Sequence, residues 1–300
     1  MERSGARYVA LEETVIVFVE SSNGMTLSNL AQHVAAPIRS LVAIASKTQV
    51  EVSECRLEPI NGTDGPSHFR IRVDPEVIDE KPPPRSTFPT FLATDVDIST
   101  FLPAWIRNAN ANPVPVAVAE SRSRTGSGPL QVVEVVNAAE TLQRTGNQPN
   151  TDSSFAAKVK DELGATALNS RETRKVLHAL NITELPLQKR LLDLANGLGG
   201  EFCLWFFDGQ VDEWAFVASE VRNALSHGYP TKHEIEHDQG TLYGIYNVTL
   251  AIIRLRLLVD AGLPSDDQLV QILVKDQAYL RLLHQQVACW RDLAARIRQA

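Results

Sequence analysis

Apolar positions recur at two different periods along this chain, and the change of period divides it. Residues 14–20 (TVIVFVE) are β-branched and aromatic, the composition of a strand, and Ser21-Ser22-Asn23-Gly24 is turn chemistry. Within residues 26–47, Leu27, Leu30, Val34, Ile38, Leu41 and Ile44 fall on or near one helical face. Pro37 inside that segment predicts a kink or a split. Residues 50–57 (VEVSECRL) and 69–73 (FRIRV) alternate and read as strands, with the loop Asn61-Gly62-Thr63-Asp64-Gly65-Pro66 between them. Lys81-Pro82-Pro83-Pro84 reads as a stiff exposed linker, and residues 99–111 as a short helix capped by Ser99.

A polar stretch, residues 121–128 (SRSRTGSG), separates this region from one where strand signals nearly vanish. Residues 129–144 (PLQVVEVVNAAETLQR) open with Pro at the favoured first helical position. Shorter helices are predicted over residues 153–163, 170–180 and 185–197, the last ending at Gly197. The strongest periodicity runs over residues 211–227 and 232–261. Gly262-Leu263-Pro264-Ser265 then stops one helix and caps another running from Asp266 towards Ala300. The expected class is α+β overall. A mixed α/β N-terminal domain spans residues 1–125, and an all-α bundle of five or six helices spans residues 126–300.

Composition narrows the function. The chain has 300 residues, 44% apolar and 22% charged, which is ordinary globular usage. Its net charge of −7 argues against nonspecific coating of nucleic acid, though not against a local basic site. Cys55, Cys203 and Cys289 are far apart and odd in number, so neither a disulfide framework nor a cysteine zinc site is expected. Met1 to Gly5 starts no apolar run, and the most apolar stretch, residues 248–259, carries Arg254 and Arg256. A cytoplasmic protein without a membrane span is therefore expected. Neither GxGxxG, GxxxxGK[ST] nor GxSxG occurs, and no cofactor is expected.

Chemistry concentrates at Arg222-Asn223-Ala224-Leu225-Ser226-His227. Trp214, Val217 or Ala218, Val221 and Leu225 form the core face of this helix, and Glu213, Glu220, Asn223 and His227 the other. Gly228 and Pro230 terminate it, which puts His227 at the helix C-terminus, where the dipole favours a cation. Asn223 lies one turn before His227 and can fix its tautomer, with Arg222 pointing beside it. A guanidinium grips a phosphate bidentately, and an imidazole exchanges protons near neutral pH. Together they suit cleavage of a phosphodiester by a neighbouring 2′-hydroxyl, without metal. On residues alone a second reading stands beside this one, in which Arg222 and His227 cap the helix and pair with neighbours.

The segment VASEVRNALSHG resembles the Rx4–6H signature of HEPN domains, and its Arg-Asn-x-x-x-His form followed by Gly is similar to the ApeA-like branch. PLQVVEVVNAAETLQR resembles the first bundle helix of that branch, and the helix ending RLRLLVDAGLP resembles the one after the motif. The resemblance covers residues 129–265. It is weaker for TLSNLAQHVAAPIRSLVAIASKTQVEV, which is vaguely like the N-terminal domain of the family. It implies a helical bundle that forms a homodimer, joining two motif copies into one RNA-cleaving site. Arg222 and His227 would be catalytic and Asn223 supporting. Such proteins are often bacterial anti-phage or toxin-like ribonucleases, while some have lost activity and only bind RNA or regulate.

His233-Glu234-Ile235-Glu236-His237 fits H-E-x-x-H letter for letter, which makes a zinc peptidase a further alternative. However, Tyr243 stands where the extended motif has its third His, and Thr231 reads as the N-cap. The two acids then sit in the first helical turn, where the dipole favours them, and no resident metal is expected. Arg281, Arg291, Arg296 and Arg298 make the last helix the one clearly basic stretch, a solvated face or a phosphate track. Tyr243, Tyr246, Leu250 and Ile253 read as core or dimer surface, and Trp205, Phe206 and Phe207 as bundle packing.

Overall fold

A computed structural model describes residues 26–46, 55–56, 68–69, 90–91, 93–120, 128–146, 158–159, 161–163, 169–179, 185–228, 235, 237–286 and 289–299. The first helical segment is built as α1 (Leu27–Leu30), a π-turn (Ala31–Ala35) and α2 (Ala36–Ser46). Pro37 explains the interruption. It has no N–H to give the carbonyl one turn back, and the chain widens there instead of breaking. The freed His33 carbonyl accepts from Asn110 Nδ2 at 2.9 Å. The Pro37 carbonyl takes the buried Trp105 Nε1 at 2.6 Å.

Trp105 belongs to α3 (Ile98–Ala111), which is followed by α4 (Pro113–Glu120). The cap of α3 is Asp97, whose carboxylate accepts from Ser99 N at 3.0 Å; Ser99 itself is not the cap. The bundle proper follows as α5 (Pro129–Gly146), α6 (Ser170–Ala179), α7 (Leu187–Asn196), α8 (Gly200–Phe207) and α9 (Val211–His227). It ends with α10 (Gln239–Asp260), α11 (Asp266–Leu273), α12 (Gln277–Gln286) and α13 (Trp290–Gln299).

The α+β class is corrected by these elements. Helices take up 85% of the described residues, which points to an all-helical fold in place of α+β. The β structure among them is one two-residue antiparallel ladder, Cys55–Arg56 with His68–Phe69, too short to make a layer. The strand predicted over 14–20, and most of those over 50–57 and 69–73, lie outside the described residues. The physical reason is where the apolar faces go. Ile44 of α2, Phe101, Trp105 and Ala109 of α3 and Val116 of α4 join the same buried cluster as the bundle helices, so these segments complete a helical core.

α10 is the centre of that core. It lies along α5 and meets α3, α4, α7 and α12. Fourteen of its residues, from Thr241 to Leu258, are buried on every side of the helix, as expected for a central element. By length and composition it is also the one helix among the described residues long and apolar enough to cross a membrane, and 72% of its apolar window is buried inside the bundle. α9 packs against α5, α7 and α13, and α11 against α8.

Two predicted helices need revision. The one expected over 232–261 starts at Gln239. Its N-cap is Asp238, which accepts from Thr241 N at 3.1 Å, and it ends at Asp260. The helix expected to run from Asp266 towards Ala300 is three. Buried Asp276 accepts from Ala278 N at 3.0 Å and starts α12 afresh. Gln210 Oε1 accepts from Arg291 N at 3.0 Å and fixes the start of α13.

Candidate functional site

α9 spans the predicted residues, Val211 to His227. Trp214, Val217, Ala218 and Val221 are buried and Leu225 partly so, while Glu220 and His227 are exposed. The helix ends for the reason its sequence implies. Gly228 adopts φ +66°, and its N–H returns to Ala224 and Leu225 carbonyls. His227 therefore occupies the last helical position, beside the left-handed Gly228.

Arg222 leans the other way, onto α5. Its Nε donates to Asn137 Oδ1 at 2.8 Å and its Nη2 to Glu140 Oε2 at 3.3 Å. Its Nη1 donates to Asn223 Oδ1 at 3.1 Å. Asn137 and Glu140 lie three apart, hence on one face of α5, and hold one edge of the planar guanidinium. A guanidinium has five N–H groups, and these bonds use three. The remaining two belong to the terminal nitrogens, and the side chain keeps 24% of its surface exposed.

Glu140 is shared. Besides Arg222 it accepts from Arg144 at 3.0 Å, and its Oε1 also pairs with Nη1 of Arg190 on α7. Three guanidinium groups thus meet one carboxylate. The sequence reading missed Asn137, Glu140 and Arg190. A signal for the first two exists, since they are polar, three apart and interrupt the apolar run of α5.

The structure brings Arg222 and Asn223 into direct contact and puts His227 one turn beyond Asn223 at the open end of α9. Arg222 and His227 are separated by about 7.5 Å of helical rise and about 140° of rotation, so the two do not share a face of a single helix. The carbonyl of Asn223 serves the guanidinium, whereas the expected role was orientation of the imidazole.

Of the H-E-x-x-H string, the structure describes Ile235 and His237. That motif needs both imidazoles on one helical face, and His237 precedes the N-cap Asp238 and so stands outside α10. His233 and Glu234 lie outside the described residues. Among the described residues, no three His, Cys, Asp or Glu side chains gather to hold a metal ion. On α13, Arg298 lies over the Phe216 ring of α9, 4.7 Å from its centre. Tyr246, Leu250 and Ile253 are core, Tyr243 is exposed, and Phe202, Trp205, Phe206 and Phe207 pack ring against ring.

No curated protein and no solved structure matches the chain. The family model for Apea-like HEPN matches residues 133–267, which takes in most of α5, the whole motif helix α9 and α10. HEPN domains are generally nuclease-like and commonly dimerise. With that match, residues 133–267 of this chain form an Apea-like HEPN domain.

Proposed function

We propose that this protein is a metal-independent endoribonuclease that acts as a homodimer in defence against phage or in a toxin-like role. The observation that carries the reading is the state of Arg222. Three polar partners orient its guanidinium while two N–H groups stay open to an oxyanion. The exposed imidazole of His227 lies on the same helix. Because the two side chains diverge on one helix, a complete site needs the motif of a second copy, as the family implies.

In the reaction, one His227 takes the proton from a ribose 2′-hydroxyl. The O2′–P bond forms, and charge developing on the phosphoryl oxygens falls on Arg222. The P–O5′ bond breaks, and the His227 of the second copy gives O5′ a proton. The products are a 2′,3′-cyclic phosphate and a 5′-hydroxyl end. Asn223, its carbonyl bound to Arg222, retains its amide N–H groups for the imidazole side.

The test is cleavage of single-stranded RNA in excess EDTA, with a 2′-deoxy strand as control. Activity on RNA alone, lost in both Arg222→Ala and His227→Ala while both stay folded, is the expected result. His227→Ala keeps its fold because the residue is exposed at a helix end. Unfolding of that variant would mean that capping was its role. A second reading, an inactive RNA-binding module, draws on Glu140 partly neutralising Arg222; it predicts RNA retention and dimerisation without cleavage.

A further inference from the structure

Arg190 is the least exposed of the three cations around Glu140, with 8% of its side-chain surface accessible. It stands on α7, which packs against both α5 and α9. The two oxygens of Glu140 divide their work. Oε1 takes Arg190 and Arg144, and Oε2 faces Arg222. Arg144 is more than half exposed, and an exposed i,i+4 pair restrains a carboxylate weakly. The restraint that turns Oε2 towards Arg222 therefore falls on Arg190. Glu140 without it is free to swing to Arg144 and to water, and Arg222 then loses one of its two anchors on α5. Arg190 is too buried to reach an RNA strand itself.

We propose that Arg190 is a positioning residue for the Arg222 guanidinium, acting through Glu140, so that α7 sets the orientation of a group carried by α9. The proposal rests on the ribonuclease reading in giving Arg222 a phosphate to hold. Its structural half, the coupling of position 190 to the guanidinium at 222, does not.

The test is a double-mutant cycle on the full chain with Arg190→Met, Glu140→Gln and the pair, together with Arg190→Lys. It is read by RNA-cleavage kinetics and by the 15N NMR signal of Arg222 Nε–H, assigned by its loss in Arg222→Lys. Arg190→Met is expected to lower kcat on the order of 10- to 100-fold with KM within about twofold, since orientation and not binding is lost. The double variant is expected to be no slower than Glu140→Gln alone. Arg190→Lys is expected to restore part of the rate, and the Nε–H signal is expected to shift in Arg190→Met. Losses that add across the cycle, or an Nε–H signal unmoved in folded Arg190→Met, overturn the proposal. Should Arg190→Met fail to fold, Arg190→Lys and the double variant carry the same comparison. A wild-type chain that cleaves no RNA sinks the ribonuclease reading, and the NMR arm still decides the coupling.

Discussion

Arg222 and His227 differ in what each does for the fold, and their variants are expected to separate accordingly. His227 is exposed, whereas Arg222 ties α9 to α5 through Asn137 and Glu140. Glu140→Gln removes a carboxylate paired with buried Arg190 and is expected to cost about 2 to 3 kcal/mol in denaturant unfolding. That is less than breaking a fully buried pair, because Arg144 and Arg222 reach solvent. Burial, with the Asp266 charge adding to it, pushes the Cys203 thiol up to about 11, so it stays protonated at neutral pH. Its alkylation rate in the native protein is expected to be far below that of the unfolded chain. The sequence made the motif legible because Arg222, Asn223 and His227 are close along one helix and Gly228 ends it. Arg190 was not legible. Its partner lies 50 residues away, and nothing in a local pattern distinguishes a buried arginine from a solvated one.

Helices mostly declared themselves, and their ends were less legible than their existence. α9 matches its predicted span because an apolar stripe and a left-handed glycine agree there. α10 begins later than its periodicity suggested because the Asp238 side chain offers the backbone a cap inside the apolar pattern. Hydrogen bonds from Thr241, whose backbone N–H and hydroxyl both donate to Asp238, hold that carboxyl below the usual carboxylate range. A lowered native pKa means that the stabilisation is present above the unfolded value and is lost as pH falls through the native one. The stability gap between wild type and Asp238→Ala is therefore expected to be about 1 kcal/mol at neutral pH and to shrink below about pH 4, as followed by urea unfolding. Gly199 adopts φ +112°, and an added Cβ would lie 2.5 Å from the Asp266 backbone. Asp266 in turn accepts from Glu201 N at 2.7 Å, at the start of α8. Gly199→Ala is expected to cost more than 3 kcal/mol, from backbone strain and displacement of α11 together, measurable as a fall in thermal midpoint.

At the scale of the whole molecule, one hydrophobic core joins α2, α3 and α4 to the HEPN helices. A helical class was legible for the second half, because strand signals vanish after residue 128, but not for the first. There, short alternating segments were read as a sheet domain, while the apolar faces of the described helices turn inward onto α5 and α10. Trp105 shows how far this continuity reaches. It is fully buried on α3, it bonds the Pro37 carbonyl, and its cluster includes residues of α10. Trp105→Ala is expected to lower the stability of the chain by about 3 to 5 kcal/mol, with circular dichroism and tryptophan fluorescence falling in one coincident transition. The carboxylate at position 140 carries a constraint of a different kind. One anion answers to three cations on three helices, so a drift that neutralises it takes a charged partner from all three, buried Arg190 among them. Natural variants of this chain should then keep the acid at 140 and the base at 190 together, or abandon both in company, and a survey of such variants can count the exceptions.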